Sequence, residues 1–101
     1  MTAQTPTLIK RDGGAHFHFL NTLYTAKISG EQTNGLLTAM EFLAPRNFGP
    51  PLHRHESEDE LFYLADGEIW FRCGEVEEVH SAGATVWMPR GLAHTFQVRS
   101  Q

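Results

Sequence analysis

Turn signals recur every six to twelve residues along most of this 101-residue chain, leaving room for short strands and little else. A lead-in over 1–14 ends at Asp12-Gly13-Gly14. The run His16-Phe17-His18-Phe19-Leu20 then alternates strictly and reads as a strand. Further strands are expected over 24–28 and 36–43, separated by Ser29-Gly30 and Thr33-Asn34-Gly35, where the Asn-Gly pair favours a tight hairpin. A proline- and glycine-bearing loop over 45–51 leads into a His-x-His strand. Beyond it come strands over 61–64, 69–73, 76–80, 85–88 and 94–98, with turns at Asp66-Gly67, Gly74, Ala82-Gly83 and Pro89-Arg90-Gly91. No useful length carries a helical period, and there is no internal repeat. The expected fold class is all-β, a sandwich or barrel, as one domain over 15–101.

Composition narrows the partners. With 41% hydrophobic and 20% charged residues the chain is ordinary and disorder is not expected. Eight basic against twelve acidic residues give a formal charge of −4, and no basic cluster exceeds Lys10-Arg11. Nucleic-acid binding, which needs a positive surface, is therefore not expected. No apolar run approaches the ~20 residues that span a bilayer. The start, Met-Thr-Ala-Gln-Thr-Pro, lacks the charged-then-apolar pattern of a signal peptide. One cysteine, Cys73, forms no internal disulfide and suits a reducing compartment. The expected location is the cytoplasm.

The chemistry is concentrated in His53, His55, Glu60 and His94. Three imidazoles and a carboxylate are a ligand set for one divalent transition metal, with coordination positions left for water, oxygen or substrate. On a strand, His53 and His55 share a face, because strand side chains alternate. Glu60 arrives from the next strand across an acidic turn, and His94 from a strand much later. Parity places Glu60, Phe62 and Leu64 together, Ile69, Phe71 and Cys73 together, and His94, Phe96 and Val98 together. Phe62, Phe71, Met88 and Phe96 are thus candidate substrate-pocket residues, although core packing is the more ordinary role for each.

The stretch His53-x-His55-x4-Glu60-x6-Gly67 resembles the first cupin motif, and Gly83-x5-Pro89-x-Gly91-x2-His94 resembles the second. The resemblance covers roughly residues 36–98. It implies a cupin-type jelly-roll barrel with a metal held by His53, His55, Glu60 and His94. Among small single-domain cupins, the stretches "HRHESEDELFYLADGEIWF" and "MPRGLAHTFQV" are similar to quercetin 2,3-dioxygenase-like proteins. The family spacing admits Asp59 in place of Glu60, but Glu60 shares parity with Phe62 and keeps the six-residue gap to Gly67. Glu58 reads as a solvated turn residue. Two motif positions differ: Gly49 lies four residues ahead of His53 rather than six, and Val98 stands where an asparagine is common. The chain ends seven residues after His94, whereas cupin barrels continue with one or two closing strands. The expectation is therefore a barrel lacking those strands, its edge covered by the N-terminal strand or a partner subunit.

His16 and His18 have no acid or third histidine at useful spacing and read as an exposed face, as does His80. Trp70 and Trp87 read as outward aromatics that hint at a homodimer contact, and Cys73 as a quiet inward thiol. The resemblance implies a metal-dependent dioxygenase acting on a small enol or phenol, with Glu60 as ligand and proton acceptor. Fe(II) is the expected metal, ahead of Mn, Ni, Cu or Zn. The alternative is a non-catalytic cupin that binds or senses a small molecule.

Overall fold

A computed structural model describes residues 5–19 and 22–100. Every regular element among them is a strand except one short 3-10 turn, as the punctuation requires. The chain forms two compact units, Met1–Ala44 and Pro45–Gln101.

In the first unit β1 (Ala15–Phe19), β2 (Thr22–Ile28) and β3 (Ala39–Leu43) make an antiparallel sheet in that order. Leu20 lies outside the described residues. Phe17, Tyr24 and Phe42 face one another across the three strands, with ring centroids 5.2 and 6.1 Å apart. Such cross-strand aromatic pairs hold register in a sheet of few strands. Phe17 and His16 are nonetheless both exposed, so alternation in β1 does not divide a wet face from a dry one. His16 instead pairs through Nδ1 with Thr25 Oγ1, at 2.8 Å.

Thr33-Asn34-Gly35 does not make a two-residue hairpin. A 3-10 turn over Gly30–Thr33 comes first, and Asn34 and Gly35 close it with φ of 55° and 80°. The positive φ that Asn-Gly favours is present, but it is used to terminate helix. Ser29 and Gln32 complete a reciprocal cap at the other end, which competes with direct strand pairing. The strand foreseen over 36–43 consequently starts only at Ala39.

In the second unit β4 (Glu60–Tyr63) pairs with β7 (Thr85–Met88), and β5 (Glu68–Cys73) lies between β6 (Val76–Ser81) and β8 (His94–Val98). His53 adds a single bridge to His94 at the free side of β8. The core is Leu64, Phe71 and Met88, with Phe62, Ile69, Cys73, Val86 and Phe96 packed against it. These are the inward positions that parity assigns, and Leu61 and Tyr63 on the opposite face of β4 are exposed. Phe62, Phe71 and Phe96 meet edge to face or tilted, with centroids 5.5 to 6.3 Å apart, a favourable aromatic arrangement.

One glycine shapes the loop that leads to the histidines. A Cβ on Gly49 would lie 2.0 Å from the Phe96 carbonyl oxygen, so only glycine lets this backbone approach β8. Asn47 N donates to Val98 O and Val98 N to Phe48 O, each at 2.8 Å, which ties the same loop to the end of β8.

Candidate metal centre

His53, His55, Glu60 and His94 converge, each offering a donor atom within 4.8 Å of the others. Three separate pieces of backbone bring them there. Glu60 opens β4 and His94 opens β8. His53 and His55 do not occupy a regular strand: His53 makes only the bridge to His94, and His55 lies in irregular chain. Pro50 and Pro51, which have no N–H to give a ladder, explain the interruption. The bridge restores the position that a strand would have supplied, because His53 N donates to His94 O at 3.0 Å and His94 N to His53 O at 2.7 Å.

The imidazoles are held by their Nδ1 atoms. His53 Nδ1 donates to Pro51 O at 2.8 Å and His94 Nδ1 to Leu92 O at 3.2 Å. His55 Nδ1 meets the Glu58 carboxylate at 3.1 Å. A carbonyl or an ionised carboxylate only accepts, so this network places a proton on each Nδ1. In a neutral ring that leaves Nε2 as a bare lone pair. Yet His55 Nε2 and His94 Nε2 lie 2.8 and 2.9 Å from the same Glu60 oxygen, Oε1. Acceptors this close need positive charge between them, which protons on both imidazoles or one metal ion would supply. His94 is only 2% exposed, and a buried polar ring of this kind is held by hydrogen bonds or by a metal. Imidazoles tethered through Nδ1 to oxygen acceptors are also the usual outer support of metal-binding histidines. The donor set fits a divalent transition metal.

Asp59 is not a competing ligand. It accepts from Arg90 N at 2.9 Å and from the Arg90 side chain at 3.2 Å. Those hydrogen bonds hold its carboxyl below the ordinary carboxylate range. Glu58 is exposed, but it is the partner of His55 and not a free turn residue. The His55–Glu58 contact spans three residues and was open to a reading of the loop. The Asp59–Arg90 contact spans 31 and left no signal in the sequence.

The four aromatic and sulfur positions singled out as a pocket are packed. Phe71 is 4% and Met88 0% exposed, and Phe62 and Phe96 close against Phe71. Phe71 and Met88 nonetheless border a cavity of about 300 Å³, together with Cys73, Val86, Trp87 and Leu92 and the polar Glu78, His80 and Thr85. Neither Phe62 nor Phe96 lines it, and neither does any of the four donors. Burial there pushes the Cys73 thiol up, as a quiet inward cysteine requires. Trp87 is 63% exposed, whereas Trp70 is half-buried beneath the Arg99 guanidinium, 5.7 Å from its ring centre. His80 is half-buried and pairs with Glu78 at 2.7 Å. Among the described residues no helix is long and apolar enough to cross a membrane.

The model of the cupin domain matches residues 39–101. The chain belongs to the cupin family. Solved structures agree on the fold of this cupin. A predicted oxalate decarboxylase from Thermotoga maritima superposes with a TM-score of 0.83 at 17% identity, covering 94% of this chain and 90% of that one. KdgF from Halomonas sp. gives 0.79 at 14% identity, with 93% and 84% covered. The polyketide cyclase RemF from Streptomyces resistomycificus gives 0.71 at 21%, with 95% and 72% covered. No curated protein matches the chain. The architecture is thus an all-β cupin fold whose described strands form three sheets.

Proposed function

We propose that this cupin holds one divalent transition metal on His53, His55, Glu60 and His94 and acts as a dioxygenase on a small enol or phenol. The observation that carries the metal reading is the convergence of His55 Nε2 and His94 Nε2 on one Glu60 oxygen while their Nδ1 atoms are held elsewhere. Bound there, the metal supplies a Lewis-acid and redox centre for a substrate oxygen and dioxygen, with Fe(II) first in expectation. Both atoms of dioxygen enter the substrate, so no outside reductant is consumed. Glu60, half-buried and at the junction of the imidazoles, takes the proton of the substrate hydroxyl. The histidines keep their orientation through Pro51, Glu58 and Leu92.

A second reading has its own support. The cavity of about 300 Å³ touches none of the donors and is lined by both apolar and polar side chains, so a small molecule bound there would not meet the metal. That favours a binding or sensing cupin without turnover. The similar structures described as a predicted oxalate decarboxylase and as a polyketide cyclase differ in chemistry, so a shared fold does not choose between readings.

Elemental analysis of protein purified without a nickel column, beside a His53→Ala/His55→Ala variant, tests the first step. Near one equivalent of a redox metal, lost in the variant, supports the metal reading and opens a screen of flavonols and other enols for oxygen uptake. No metal after reconstitution refutes it. Metal without uptake across the screen favours the binding cupin.

A further inference from the structure

The acidic segment between His55 and Glu60 is anchored to a distant part of the chain. Glu56 pairs with Arg54 at 2.9 Å and Glu58 with His55 at 3.1 Å, both local contacts. Asp59 instead reaches 31 residues along the sequence to Arg90 and engages it three times. Arg90 N and Nε donate to Oδ1 at 2.9 and 3.2 Å, and Nη2 donates to Oδ2 at 3.2 Å. One residue further, Gly91 N donates to His55 O at 2.8 Å. The turn over 89–91 therefore grips the acidic segment at both ends, immediately beside two of the donors. The same turn leads to His94, four residues after Arg90. Its own shape is fixed by Gly91 at φ 85°, a conformation that other residues rarely adopt.

We propose that Asp59 and Arg90 are positioning residues: their clamp holds the Glu60 carboxylate in register with the His55 and His94 imidazoles and so sets the affinity and geometry of metal binding. The proposal rests on the metal reading above. An exposed ion pair contributes little to global stability, and both side chains are exposed. What this pair adds is geometric, because the planar guanidinium fork meets both carboxylate oxygens at once. Loosening it frees Glu60 relative to His94 without removing a donor. Groups hydrogen-bonded directly to ligating side chains typically change metal affinity by about 10–100-fold when lost, which sets the scale for a clamp that acts on Glu60 through the adjoining backbone.

Cobalt(II) is the probe, titrated into the full chain and followed by its visible absorption bands, with urea midpoints measured on metal-free protein. Asp59→Asn is expected to weaken cobalt binding by about 10–100-fold and to shift the bands, with the metal-free midpoint unchanged. Arg90→Lys, which keeps the charge but loses the fork, is expected to move both readouts in the same direction. Unchanged affinity and bands in Asp59→Asn would overturn the proposal. So would a weakening matched by a lowered metal-free midpoint, which marks a merely structural contact. If the wild type binds no cobalt, the metal reading fails by itself. The positioning role is then decided by the ring resonances of His55 and His94 in metal-free protein: displaced in Asp59→Asn if the clamp sets Glu60, unmoved if it does not.

Discussion

Replacing Met88 by alanine tests whether the second unit has a specific core or a loose one. Met88 is 0% exposed, packs with Leu64 and Phe71, and lies opposite Glu60 in the β4–β7 pairing. Loss of a fully buried side chain of this size forfeits about 1.5–3 kcal/mol of transfer free energy. A cavity left dry would add to that, and Met→Ala changes in cores span about 2–5 kcal/mol. Met88 also borders the existing cavity of about 300 Å³, so water or side chains can enter the new space from there and trim the cavity contribution. The expected cost is therefore about 2–3 kcal/mol, in the lower part of that range. With a urea slope of about 1.5 kcal/mol/M, the midpoint falls by about 1.3–2 M. Both tryptophans, Trp70 and Trp87, belong to residues 45–101, so their fluorescence reports this unit directly. Met88→Leu, which conserves volume, should cost less than about 1.5 kcal/mol. A drop below about 0.5 M for the alanine variant, at unchanged slope, would refute the placement of Met88 in a packed core.

Two further outcomes follow from single contacts. Gly49→Ala forces a methyl group onto the Phe96 carbonyl. Moving that backbone is expected to cost about 1–3 kcal/mol, read as a lower urea midpoint; an unchanged midpoint would contradict the close approach. Because desolvation raises the Cys73 pKa, the thiolate is scarce at neutral pH in the native protein. Iodoacetamide should label native Cys73 slowly at pH 7 and faster as pH rises toward and past the raised value, and at pH 7 it should label the chain faster in urea than in its native state. Native labelling at pH 7 as fast as in urea would contradict that burial.

What was legible in the sequence was whatever depends on alternation and on residues that interrupt it. The parity of Glu60, Phe62 and Leu64 against Leu61 and Tyr63 matches their burial in β4, because one face of that strand packs on Phe71. The first residue of β8 is His94, as its distance from Pro89-Arg90-Gly91 suggests. Less legible was anything decided by competition between local hydrogen bonds. Asn34-Gly35 supplies the conformations of a hairpin turn, but the Ser29–Gln32 cap wins a helical turn first. A His-x-His strand is implied by spacing alone, yet two prolines upstream leave only one bridge. The clamp on Asp59 joins residues far apart in the chain, and no periodicity encodes such a contact.

The donors' placement along the chain also dictates an order of events. His53, His55 and Glu60 lie within eight residues, but His94 stands 34 beyond Glu60. An unfolded chain can offer an ion the first three at small entropic expense, whereas recruiting the fourth closes a long loop. Folding closes that loop when β8 docks on β5 and pairs His94 with His53. An ion that prefers the completed set therefore distinguishes native from denatured chains chiefly through His94. A metal bound as proposed would load after the sheet assembles and would then latch it, lifting the unfolding midpoint in proportion to the logarithm of free metal.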